Sequence, residues 1–275
     1  MRLQRGHTSR QGSAAKTVLI VLVVAHFIFA QQAFAQETAT AVEVPAAIRE
    51  QVGKVASKIS PSVRLRRVSG NVQSGSSNTP VERFFERLDS GLWGVTTAYL
   101  VRGALVRSTL TLQGLVELTA VATVDRDFNI DSIIPIGKLF VPYGTNKNLK
   151  ASGAIAITSL SGDLAVLSAP TAGSKFSYVR TATGQNTVAT TGLFGGTRTH
   201  TLNISAKADC SAGPETEASM LHTQLRGKYL PVKCEGELNG SARIDEYAYL
   251  LDSGLYVALS SGNEKFSIEK VEYAP

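Results

Sequence analysis

The sequence predicts a mainly β protein, an antiparallel sandwich or open barrel preceded by two short helices. Three observations carry that expectation. Arg198–Cys210 places His200, Leu202, Ile204, Ala206, Ala208 and Cys210 on one parity and Thr199, Thr201, Asn203, Ser205, Lys207 and Asp209 on the other. Alternation with period two is the pattern of a strand with one face in a core and one in water. Leu230–Leu238 repeats it, with Leu230, Val232, Cys234 and Leu238 against Lys233, Glu235 and Glu237. The remaining apolar runs are short and punctuated by Gly, Pro, Ser and Asn, with no strand–helix–strand rhythm to suggest a parallel sheet.

In chain order, residues 1–35 read as an export signal. Arg2, Arg5, Arg10 and Lys16 form a basic leader, Thr17–Ala30 an apolar run broken only by His26, and Ala33-Phe34-Ala35 a cleavage signal, with Gln36 as the first mature residue. The apolar run is short of the roughly 20 residues a membrane span needs. No lipobox cysteine lies near the cleavage site and no Arg-Arg pair lies in the leader. The leader holds four of the 28 basic residues and none of the 22 acids, which leaves 24 against 22 and a mature net charge of +2. The pI near 9.3 is therefore partly a property of the removed segment. A nucleic-acid partner, which needs a concentrated basic surface, is not expected.

Residues 36–79 read as a short helix and a flexible linker. Ile48, Val52, Val55 and Ile59 make one helical stripe within Pro45–Ser60, with Pro45 at the start and Ser60-Pro61 as the stop. Arg49, Lys54 and Lys58 line it as a solvated face. Ser69–Asn78 is rich in Ser, Gly and Asn and reads as the linker. Residues 80–175 read as a capped helix and then a β-rich region. Thr79-Pro80-Val81-Glu82 has the form of a capping box, Val81, Phe84, Phe85 and Leu88 follow helical spacing, and Gly91 fits a C-cap. Three strands are expected in Leu92–Val124, then Ile130–Ile136, Gly153–Ser159 and Asp163–Ser168. Residues 176–275, which either form a second β region or join 80–275 as one domain, add Phe176–Ala182, Thr187–Leu193, the two cysteine strands, Ser241–Leu250, Leu255–Ser260 and Phe266–Tyr273. A phase slip in the last predicts a bulge near Glu269-Lys270. Leu88-Asp89-Ser90-Gly91-Leu92-Trp93 echoes Leu251-Asp252-Ser253-Gly254-Leu255-Tyr256; the flanking residues do not match, so chance and common turn chemistry explain the echo better than duplication does.

The chain offers little catalytic vocabulary. Only His200 and His222 remain after cleavage. His200, on the apolar parity of its strand, reads as a buried or rim histidine, and His222 as a loop residue. No zinc-protease, nucleophile-elbow, phosphate-loop or Cys-x-x-Cys motif occurs. Asp125, Asp127 and Asn129 fit positions one, three and five of a calcium loop, but Ile130 and Ile136 stand where its Gly and Glu should be, so a turn with a solvated acidic edge is expected instead. Asn203 and Asn239 lie in formal glycosylation sequons, relevant only in a eukaryotic host. No catalytic residue, cofactor or metal site is assigned. Cys210 and Cys234, the only cysteines of an exported chain and each on the apolar parity of its strand, are expected to form a disulfide.

Phe176-Ser177-Tyr178-Val179-Arg180, Cys210, Leu225–Cys234 and Tyr247–Tyr256 together resemble a group of uncharacterised exported proteins of Gram-negative bacteria over the C-terminal hundred or so residues. The resemblance implies export and a paired-cysteine β region, and carries no activity. The function expected is therefore non-enzymatic binding or an envelope-structural role in the periplasm or outside the cell, with an envelope or protein partner and no integral membrane segment after cleavage. A periplasmic hydrolase using carboxylate or Ser/His chemistry, and a membrane-anchored or outer-membrane protein, are the alternatives. Few aromatic residues (7 %) and unevenly placed loops speak against a lipid-facing barrel.

Overall fold

The computed structural model describes residues 43–100, 105–136, 139–190 and 196–275. The cleavage site at Ala35 and Gln36 lies outside the described residues. The helical stripe forms α1 (Ala46–Ala56), which buries Ile48, Val52 and Ala56. The strands are β1 (Leu65–Ser74), β2 (Ser77–Arg87), β3 (Trp93–Tyr99), β4 (Leu105–Leu112), β5 (Val116–Ile136), β6 (Leu139–Gly162), β7 (Lys175–Thr190), β8 (Gly196–Ala212), β9 (Thr216–Glu217), β10 (Lys228–Leu238), β11 (Ser241–Leu250), β12 (Leu255–Ser261) and β13 (Glu264–Tyr273). A five-residue helix, α2 (Leu164–Ser168), joins β6 to β7, and Ala218–Met220 is a single 3-10 turn.

Each long strand pairs antiparallel with its chain neighbours, β10 with both β8 and β11, and β13 returns to β1. The result is a closed 12-strand antiparallel barrel, with the two-residue β9 appended to β10. The expectation of a sandwich or open barrel is thus corrected. Pairing Val68 with Val271 and Val72 with Phe266 joins the two ends of the barrel sequence and closes the barrel. No local pattern announces a contact between residues about 200 positions apart.

The second expected helix is also corrected. Ser77–Arg87 is β2, hydrogen-bonded to β1 and β3. Val81 and Phe85 fit helical spacing, yet they also lie two steps of two apart, and Val81, Arg83 and Phe85 share the inward face of a strand. Once both neighbours pair, tertiary contacts override the cap signal at Thr79. The expected linker is the β1–β2 hairpin, turning at Gly75. Asp163–Ser168, expected as a strand, instead holds α2 from Leu164 onward. The predicted bulge is present: the β1–β13 register skips Glu269, between Ser69↔Lys270 and Gly70↔Ile268.

The turns β2–β3, β4–β5 and β11–β12, the β6–β7 connection carrying α2, and α1 all gather at one end. There α1, α2, Leu112, Leu118, Ile157, Phe176, Leu230, Tyr249 and Tyr256 form one apolar cluster. A second cluster contains Val68, Val81, Phe85, Trp93, Ala248, Leu250, Leu255, Val257 and Phe266. Ala248-Tyr249-Leu250 and Leu255-Tyr256-Val257 are buried without alternation. Both faces of this hairpin end are therefore covered, and it divides the two clusters.

The echoed hexapeptides form corresponding turns at this end. Gly91 and Gly254 both have positive φ, and both lie against the C-terminal end of α1: a Cβ on Gly91 would come within 2.8 Å of the Ala56 backbone, and one on Gly254 within 2.6 Å of Ile59 Cγ2. The residues that close the two echoes meet on Gln113, whose Oε1 accepts from Trp93 Nε1 (3.0 Å) and whose carbonyl accepts from the Tyr256 amide (2.8 Å). Arg87 donates to the Ala56 and Ile59 carbonyls, placing a cation where the helix dipole favours one.

Candidate functional site

The barrel interior changes character along its length. Above the apolar end, inward positions of β4, β5, β7 and β11 carry charged and phenolic side chains. Period two places Phe176, Tyr178, Arg180 and Ala182 inward on β7, and the register brings Cys210, Ala208, Ala206 and Ile204 of β8 opposite them. The same rule puts Cys234, Gly236 and Leu238 of β10 against Asp245, Arg243 and Ser241 of β11.

Glu117 reaches this layer through an irregularity. The β4–β5 register shifts between Leu110 and Thr111, so Thr111 faces Glu117 and Leu110 faces Thr119. Leu118 is buried in the apolar cluster while the adjacent Glu117 carboxylate meets lumenal guanidiniums. Arg107 pairs with it at 2.8 Å, and Arg180 both pairs with the carboxylate (3.4 Å) and donates to the Glu117 carbonyl (3.2 Å). Arg243 donates to Asp245 (2.6 Å) and to Ser261, whose hydroxyl in turn donates to Asp245 (3.0 Å). These groups and Tyr178 and Tyr247 surround a cavity of ≈ 210 Å³ that runs along β10 as far as Leu238, beside the β10–β11 turn.

The cavity becomes more accessible toward Arg107 and Arg243. The side chain of Arg180 is 12 % exposed, Asp245 18 % and Glu117 21 %, against 36 % for Arg243 and 41 % for Arg107. Burial pushes the Tyr178 phenol up and the Tyr247 phenol well above its ordinary value, so both remain neutral donors at physiological pH. Burial alone would pull Arg243 down; the hydrogen bond and charge of Asp245 outweigh it and hold the guanidinium above its usual value. Arg83, on the inward face of β2, lies over the Phe266 ring (4.1 Å) and donates to the Ala258 carbonyl (2.9 Å); burial pulls it down.

Cys210 and Cys234 are disulfide-bonded and sit directly opposite each other in the β8–β10 ladder, with Cα atoms 4.0 Å apart. Parity brings both sulfurs inward, and Cys234 borders the cavity. His200 departs from expectation. It is exposed, because β8 pairs with β10 only from Ala206 onward and its first half runs past the core. His222 lies, as expected, in the loop that follows the 3-10 turn, where its Nδ1 accepts from the Gln224 amide (3.3 Å). Asp125–Asp131 belongs to the continuous strand β5 and not to a turn, and among the described residues no group of three or more His, Cys, Asp or Glu side chains could hold a metal ion. Sequence reasoning missed Arg107, Glu117, Arg180, Arg243 and Asp245. Parity from Cys210 and Tyr178 could have found Arg180, whereas Glu117 depends on the register shift.

No family model matches the chain, and no curated protein or solved structure does either.

Proposed function

We propose that the chain is an exported protein of a Gram-negative envelope, periplasmic or secreted, that acts by binding and not by catalysis. One observation carries this reading: the carboxylates that converge in the lumen are already clamped, Glu117 by Arg107 and Arg180 and Asp245 by Arg243. A general base needs a free lone pair aimed at a nucleophile, and both histidines lie away from this layer. That arrangement also weighs against the hydrolase alternative. The disulfide fits an oxidising compartment, and the motif resemblance of the C-terminal region points the same way. Among the described residues no helix is long and apolar enough to cross a membrane.

The outward face weighs against a barrel seated in lipid. Lys207, Asp209, Lys233 and Glu235 are outward and exposed on adjacent strands, and Arg67 bridges Glu82 and Glu272 across β1, β2 and β13. Charged side chains on a lipid face cost up to about 2–4 kcal/mol each near the bilayer midplane.

Fractionation of the native host with N-terminal sequencing tests the reading. A mature chain beginning at Gln36 in the periplasm or medium, inactive against ester, amide and glycoside substrates, is expected. A full-length chain retained in the inner membrane, or a hydrolase activity lost in Glu117→Gln, would overturn it.

A further inference from the structure

We infer that the lumenal cavity is a binding site for a small organic monocarboxylate with a short apolar body. The inference rests on the binding-protein reading above and names the ligand class of that site.

Charge balance sets the sign and the magnitude. Among the described residues, Arg107, Arg180 and Arg243 face the cavity with Glu117 and Asp245, three cations against two carboxylates, which leaves one positive charge in excess. A monoanion neutralises it and a dianion would overshoot. In a partly desolvated cavity with low-dielectric walls that excess attracts an anion more strongly than it would in bulk water.

Geometry selects the head group. A guanidinium carries five N–H donors in a planar fork suited to carboxylate oxygens. Arg180 engages Glu117 through its two terminal nitrogens, and Arg243 engages Asp245 and Ser261 through Nε and Nη2, so neither fork is exhausted. Two arginines converging on the Glu117 carboxylate show that this wall accepts such a group. The neutral phenols of Tyr178 and Tyr247 add two donors beside them. Arg107 and Arg243, the most exposed of the cluster, are the first groups a guest would meet.

Size and lining set the rest of the molecule. On the measure by which a single water needs roughly 10–15 Å³, a volume of ≈ 210 Å³ holds a guest of several heavy atoms. A phosphate ion would leave much of it unfilled. The apolar part of the lining, Leu115, Ile204, Ala206 and Leu238, suits a hydrocarbon chain or a single ring. Hexanoate and benzoate are of this size and polarity.

Isothermal titration of the mature, oxidised protein with hexanoate and benzoate, against hexanamide, benzamide and inorganic phosphate, tests the inference. Both carboxylates should bind at least tenfold more tightly than their amides and than phosphate. Arg180→Gln should weaken carboxylate binding at least tenfold. Leu238→Trp, which fills the rim of the cavity and removes no charge, should do the same, and keeps the test open if the arginine variant does not fold. Amides binding as well as acids would overturn the carboxylate class and leave the binding-protein reading standing. Phosphate binding as well as hexanoate would overturn the apolar body, and carboxylate binding undisturbed by Leu238→Trp would overturn the location. If none of the probes binds, the inference fails, while the export and catalysis tests still decide the broader reading separately.

Discussion

Glu117 is the residue on which the lumenal charges depend most. Two guanidiniums converge on it, and one of them, Arg180, is nearly out of solvent. Glu117→Gln keeps the shape and removes the charge, leaving Arg180 without an anionic partner. Hydrogen bonds to charged groups contribute roughly 1.5–3 kcal/mol where they are buried, so a loss of that order is expected in urea unfolding. Arg107→Gln should cost well under half as much, because its side chain is 41 % exposed and water replaces the lost contact. Equal losses from the two variants would mean that the ion pairs are not what holds the layer. Gly254 gives a second residue-scale expectation. Its φ is positive and an added Cβ would press on Ile59, so Gly254→Ala should destabilise by at least about 1 kcal/mol, read from the same unfolding curves. The two cysteines were legible in the sequence because parity alone places them. Glu117 was not, since a one-residue register shift reverses the face that parity would assign to it.

Among the elements, β8 and β10 owe their alignment to pairing and to the disulfide together. Ladder bonds set Cys210 opposite Cys234, and the covalent bond fixes that register at a position bordering the cavity. The link closes a loop of 24 residues in sequence separation, which in the chain-entropy model removes roughly 3–4 kcal/mol of stability from the unfolded state's advantage. The double variant Cys210→Ser/Cys234→Ser should lose stability of that order in urea unfolding, and the oxidised wild type should lose a comparable amount on reduction. A change below about 1 kcal/mol would show that the ladder alone sets the register. Strands with a clear inner and outer face, such as β8 from Leu202 onward and β10, were readable from period two. β2 was not, because Val81 and Phe85 satisfy a helical spacing and a strand spacing at once, and only the partners β1 and β3 distinguish them. The hairpin end of β11 and β12 carries apolar or aromatic residues on both faces for a related reason: each face meets a different cluster, so no alternation survives.

At the scale of the whole molecule, closure joins β1 to β13 and makes the sealed end a cooperative unit, with buried tyrosines among its ties. Tyr249 donates to the Ser168 carbonyl (2.9 Å) and Tyr256 to the Leu167 carbonyl (2.7 Å), fastening α2 to the β11–β12 hairpin. Their rings are 4.7 Å apart, and Tyr247 meets Tyr256 edge-on at 6.1 Å. Burial raises all of these phenols, Tyr249 to about 12 and Tyr247 and Tyr256 well above their ordinary value of 10.0. A phenol whose folded pKa exceeds its unfolded value favours the fold while it keeps its proton. That contribution is fully present below about pH 10 and is lost as pH rises through the folded value, because only the unfolded chain then releases the proton readily. Each such group removes about 1.4 kcal/mol per pH unit across its window. Three together exceed about 4 kcal/mol per unit, a large share of a typical stability of about 5–15 kcal/mol. Alkaline unfolding is therefore expected between about pH 10 and 12, with loss of β circular dichroism coinciding with a late step in tyrosinate absorbance. Tyr249→Phe should shallow the stability slope over that interval by about 1.4 kcal/mol per pH unit, although it lowers stability at neutral pH by removing the bond to Ser168. Tyrosines that all titrate near pH 10 while the circular dichroism stays unchanged would mean that the sealed end is open to water and that the phenols do not fasten it.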